Sequence, residues 1–160
     1  MVFGLFSKEK ALQKTIEKAT NKLAQQPDRW GALEKLKDDG TEEALVGLCR
    51  RFAITSMKGV EDEAEKLWVV DTLVAKGSEA LAPVVRYMKT AEQLAFPLRV
   101  LERIAPREKV IEVADQLFAS EPPGYVRPSV YTTPRGPDPR VRQITRNILE
   151  RMKHTTLSPP

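Results

Sequence analysis

Glu61 to Met88, EDEAEKLWVVDTLVAKGSEALAPVVRYM, is the stretch on which the reading of the whole chain turns. Leu67, Val70 and Val74 recur at i, i+3 and i+7, and Trp68, Val69 and Leu73 widen that stripe until little of the segment is left polar. The spacing predicts a helix with most of its surface covered. Gly77 can take the left-handed conformation that closes a helix, and Ser78 can cap the next one, with Glu79 facing its positive end. Leu81, Val84, Val85 and Met88 then give a second helix its buried face. Two helices joined this tightly cannot hide their own apolar surface and need neighbours built alike.

Such neighbours lie on both sides. Toward the N-terminus, Thr41 caps a helix whose stripe is Leu45, Leu48, Cys49 and Phe52. Before it, Pro27-Asp28 opens a short helix with Trp30, Leu33 and Leu36 inward, ended by Asp38-Asp39-Gly40; these aspartates lack the oxygen spacing of a calcium loop. Ser7 is expected to cap the first helix, with Phe6 folded back on it and Leu12, Ile16, Ala19 and Leu23 buried as far as about Gln25. Residues 1–6 read as an apolar strap over the first repeat, because a membrane-lying helix needs a longer amphipathic stretch. Ala53 to Val60 is a connector. Toward the C-terminus, Leu94, Leu98, Leu101 and Ile104 line one further helix, and Val110, Ile111, Ala114, Leu117 and Phe118 another. Pro83 and Pro97 should kink their helices or delay their starts. Residues 121–137 carry most of a proline-rich, tyrosine-bearing run with no helical period, a loop of the length that is usually functional or mobile. Asp138-Pro139 starts a last amphipathic helix with Val141, Ile144, Ile148 and Met152 on one side, and residues 154–160 form a frayed tail.

With 160 residues the chain suits one domain, and 41% hydrophobic with 30% charged residues is an ordinary globular composition. No apolar run approaches the ~20 residues that span a bilayer. The lone cysteine, Cys49, rules out an internal disulfide framework and makes a reducing cytoplasm the default; on the core side of its helix it reads as a buried structural thiol. Charge is unevenly placed. From residue 121 onward seven basic groups face three acidic ones, whereas the first 120 residues hold 19 of each.

The helices repeat. Ala32 to Leu45 superposes on Trp68 to Leu81 with Leu36 on Leu73 and Gly40 on Gly77, a shift of 37, and Asp62 to Leu73 matches Asp138 to Leu149 at about twice that distance. Periods near 40 made of two antiparallel helices mark an α-solenoid. DPRVRQITRNIL (Asp138 to Leu149) resembles the second helix of HEAT repeats, with Asp138, Val141, Arg142 and Leu149 in place; Glu65-Lys66 stands where Val-Arg would be in the earlier copy, and Leu98-Arg99 only approximates it. The resemblance covers about residues 27–153. It implies an all-α superhelix of about four helix pairs, a single HEAT-like domain over 1–160, and, as in most such families, a scaffold that binds proteins. Relatives built from similar repeats include DNA glycosylases and bilin lyases.

Chemistry finds no foothold. His154 is the only histidine, no G-x-S-x-G, HExxH or CxxC occurs, and the eight glycines are scattered singly, so no catalytic residue, metal site or cofactor is expected. The acidic cluster Glu61, Asp62, Glu63 and Glu65 reads as a solvated helix start that compensates the dipole. Two features stand out as partner contacts. One is the loop with Tyr125, Arg127, Tyr131 and Arg135, whose tyrosines could equally seal the end of the array. The other is the basic last helix with Arg140, Arg142 and Arg146, which reads either as a solvated face or as a surface for an acidic protein or for phosphates. The sequence therefore points to a non-enzymatic adaptor that captures a protein with an acidic surface. DNA binding is the alternative, against which the balanced first 120 residues weigh.

Overall fold

The computed structural model describes residues 2–119 together with two short segments, Thr132–Thr133 and Gly136–Pro137. Helices dominate: α1 (Val2–Ala19), α2 (Gln26–Asp39), α3 (Glu42–Arg50), α4 (Gly59–Lys76), α5 (Leu81–Thr90), α6 (Ala95–Ile104) and α7 (Arg107–Ala119). Inside the proline-rich run, Thr132 and Thr133 pair antiparallel with Pro137 and Gly136, a two-residue β contact.

Local chemistry accounts for most helix ends. Pro27 lies in the first turn of α2, where its missing N–H costs nothing. Gly40 closes α2 at φ 65°, its N–H donating to the Leu36 carbonyl, and the Thr41 hydroxyl accepts from the Ala44 N–H to start α3. Gly77 closes α4 at φ 61°. The link that follows differs from expectation: Ser78 makes no capping bond, and a 3-10 turn over Gly77–Ala80 leads into α5. Pro83 and Pro97 each stand third in their helices, so both delay a start.

The N-terminus departs further. The helix begins at Val2, passes through Ser7 without a cap, and leaves Leu5 and Phe6 about 66% and 58% exposed. It also stops at Ala19, so Leu23 falls in the connector, in water. An Asn21 side-chain oxygen accepting from the Leu23 N–H stabilises that turn instead.

Helices pack on their chain neighbours, α1 on α2, α2 on α3 and α5 on α6, and also one element further along, α1 on α3, α3 on α5, α5 on α7, α2 on α4 and α4 on α6. Between them runs one core. Leu33 and Leu36 of α2, Leu45, Leu48 and Cys49 of α3, and Val69, Val70 and Leu73 of α4 are fully or almost fully buried. Val84 and Met88 of α5 and Val100 and Leu101 of α6 extend it, and Val110, Val113 and Leu117 of α7 close it. At about 1.5–3 kcal/mol per buried aliphatic side chain, this seam is the main source of stability. Ring contacts add to the core: Trp30 of α2 meets Trp68 of α4 at 5.2 Å between centroids, and Phe52 stacks on Phe96 of α6 at 5.5 Å. The stripe on α4 is rotated from the expected one. Leu67 is 41% exposed and Val74 half-buried, because the face that meets α2 and α6 is centred on Val69 and Leu73.

One close approach depends on a missing side chain. A Cβ on Gly47 would stand 2.7 Å from Ile16 Cγ1 and 3.0 Å from its Cδ1. Gly47→Val should therefore force α1 away from α3 and destabilise by about 1–3 kcal/mol in urea titrations, with a smaller loss in an Ile16→Ala background, where the obstructing atoms are gone.

Candidate functional site

The partner contacts expected from sequence, Tyr125, Arg127, Tyr131, Arg135, Arg140, Arg142 and Arg146, all lie outside the described residues, as does His154. Among the described residues no group of three or more His, Cys, Asp or Glu side chains could hold a metal. Cys49 is buried, and that burial pushes its thiol up to about 12, which leaves it unreactive as a nucleophile.

The acidic start of α4 is not what its sequence suggests. Glu63 faces water, but Asp62 and Glu65 turn inward and Glu65 is wholly buried. Arg29 of α2 donates through Nε to both Glu65 oxygens at 3.1 Å, and through Nη1 to the Ala24 carbonyl. From the 3-10 turn Arg51–Ala53, Arg51 Nε reaches the same carboxylate at 2.8 Å, its Nη2 reaches Asp62 at 2.7 Å, and its Nη1 donates to the Ile54 carbonyl at 3.1 Å. Lys66 Nζ holds the second Asp62 oxygen at 2.7 Å, and the Ser56 N–H donates to the first at 2.9 Å. Every charged group therefore has an opposite partner. Two carboxylates among three cations leave a residual charge of +1.

Burial works against the Asp62 carboxylate, yet the bonds from Lys66, Ser56 and Arg51 outweigh it and hold its pKa below the ordinary 3.8. Because the folded value is the lower one, this stabilisation is complete above pH 3.8 and disappears as pH falls through the folded value. A signal for the cluster was present in the spacing. Asp62, Glu65 and Lys66 continue, at i, i+3 and i+4, the face that Val69, Val70 and Leu73 bury.

Around this cluster the surface is open. Leu23 and Met57 line a shallow depression of about 140 Å³ between the α1–α2 and α3–α4 connectors, with Lys22 and Lys58 at its rim. Leu23 is 73%, Met57 89% and the nearby Val60 87% exposed. Ala24 also borders a larger groove of about 560 Å³ between α1 and α2. Lys14 and Lys18 rise from one wall, Lys35 and Asp28 from the other, and Gly31 lies between, where a Cβ would meet nothing within 4 Å. Among the described residues none of these three lysines has a carboxylate within 4.0 Å. This surface combines lysine charge with exposed aliphatic area.

Among the described residues, removing the shared carboxylate strips buried Arg29 of its one carboxylate partner and leaves Arg51 with Asp62 alone. Glu65→Ala should lower stability by about 3–5 kcal/mol, visible as a melting temperature down by about 10 °C or more, while Glu63→Ala at the exposed neighbour changes it little. No family model, no curated protein and no solved structure matches the chain.

Proposed function

We propose that the chain is a non-enzymatic protein-interaction module, built as a short HEAT-like array of helix pairs, that captures a partner with an acidic surface in the cytoplasm. The observation that carries this reading is the cluster of Leu23, Met57 and Val60. These three aliphatic side chains lie on and beside neighbouring connectors and are 73–89% exposed. Lys58 at the rim is paired with Glu61, but Lys22 and the lysines of the adjoining groove leave the patch net positive, so an acidic partner with aliphatic anchors suits it.

Two things support the array. Helix contacts run α1–α3–α5–α7 and α2–α4–α6, as stacked helix hairpins require, and Gly40 and Gly77, 37 residues apart, both close a helix at positive φ. On sequence grounds the partner surface also takes in Tyr125, Arg127, Tyr131 and Arg135 of the proline-rich run, with Arg140, Arg142 and Arg146 beyond it. The reading needs no cofactor. DNA binding is the competing reading, and the lysine-lined groove is the observation in its favour.

Affinity capture decides between them. Met57→Glu with Val60→Glu, and separately Arg142→Glu with Arg146→Glu, should each remove the partner seen with the unaltered chain while leaving the melting temperature in place. Capture unaffected by both pairs would defeat the proposal. Micromolar binding to duplex DNA that weakens steeply with salt would install the alternative.

A further inference from the structure

We propose that the first turns of α1 form a docking tip for an anionic lipid surface, with Leu5 and Phe6 entering the acyl boundary and Lys8 and Lys10 meeting headgroup phosphates. This inference stands apart from the partner surface above, since Leu23, Met57 and Val60 take no part in it. Read from sequence, residues 1–6 were too short for an interfacial helix. With α1 continuous from Val2 to Ala19 and seated on the core through Ile16 and Ala19, those residues instead open a helix held at its far end.

Much of that helix is unsupported. Every residue from Gly4 to Ala11 is exposed, Leu12 is the first half-buried residue, and Ile16 is the first buried one. At 1.5 Å per residue the free portion stands about 15 Å clear of the core. A helix this short is marginal in water when nothing packs on it. Its end is also apolar by sequence, Val2, Phe3, Leu5 and Phe6 falling within five residues, so something outside the described residues must cover it.

Charge selects the occupant. Residues 1–25 hold five lysines against Glu9 and Glu17, whereas residues 26–120 hold 14 basic and 17 acidic groups, so the balance of the first 120 residues conceals a positive end. Among the described residues Lys8, Lys10 and Lys14 have no carboxylate within 4.0 Å. Along the axis Lys8 and Lys10 lie about 5–8 Å behind Leu5, so their long side chains reach the headgroup level when Leu5 and Phe6 are below it. A second copy of the chain fits less well, because tip-to-tip packing would crowd like charges. A nucleic acid would leave Leu5 and Phe6 in water.

Vesicle sedimentation with the full chain tests the proposal. The chain should pellet with vesicles of phosphatidylcholine containing about one-third phosphatidylglycerol, stay largely in solution with phosphatidylcholine alone, and be released at roughly 0.5 M salt. Leu5→Glu with Phe6→Glu should reduce binding about tenfold or more at an unchanged melting temperature, and Lys8→Glu with Lys10→Glu should abolish the preference for anionic lipid. Failure of the unaltered chain to pellet with anionic vesicles, or binding that survives Leu5→Glu with Phe6→Glu, would overturn the proposal. A concentration-dependent dimer lost with Phe6→Glu, without vesicle binding, would assign the tip to a second copy and overturn it too. Neither result touches partner capture through Met57 and Val60.

Discussion

Glu65 is the group on which the arrangement of the described helices depends. It is wholly buried, and it is held at once by Arg29 from α2 and Arg51 from the turn after α3. A buried ion pair adds little net stability over well-packed apolar groups, because desolvation consumes most of the attraction. What it enforces is uniqueness. Any sliding of α4 against α2 would strand a carboxylate between apolar walls or leave two guanidinium groups unpaired, and each outcome is far worse than the loss of one aliphatic contact. The hydrophobic seam through Leu36, Val69 and Leu73 tolerates small shifts; the ionic cluster at its end does not.

That constraint also explains why the connectors are where they are. Arg29 donates to the Ala24 carbonyl and Arg51 to that of Ile54, so the same two side chains that fix α4 also pin the α1–α2 and α3–α4 turns. Asp62 completes this by accepting from the Ser56 N–H. Leu23 and Met57 are thus carried on turns whose backbones are anchored from below, which lets aliphatic side chains stand in water without the turn collapsing onto the core. A pre-formed apolar patch loses less conformational freedom on binding than a mobile one would.

Much of the helical pattern was legible from spacing alone. Leu45, Leu48, Cys49 and Phe52 are all buried as their i, i+3, i+4, i+7 pattern requires, and Gly40, Gly77 and Thr41 act where turn and cap chemistry places them. Periodicity fails by rotation rather than by kind. On α4 so many apolar residues are available that sequence could not choose between a stripe through Leu67 and one through Val69, and only the neighbours in space choose. At α1 the misreading has another cause. Ser7 satisfies the rule for a helix cap, but nothing obliges a serine to cap, and the chain ahead of it continues the helix.

The sequence by itself determined that the chain forms short amphipathic helices, two of them closed by glycine, and that Cys49 is a core residue, because these follow from local periodicity and residue type. Tertiary structure alone decided which charges leave water. Asp62 and Glu65 carry the same charge as Glu61 and Glu63 and stand among them in the chain, yet only the first two meet arginines, contributed by Arg29 from 36 residues before Glu65 and by Arg51 from 14 before it. A carboxylate's fate depends on what faces it across a helix contact, and that partner is distant in sequence and near only in the fold.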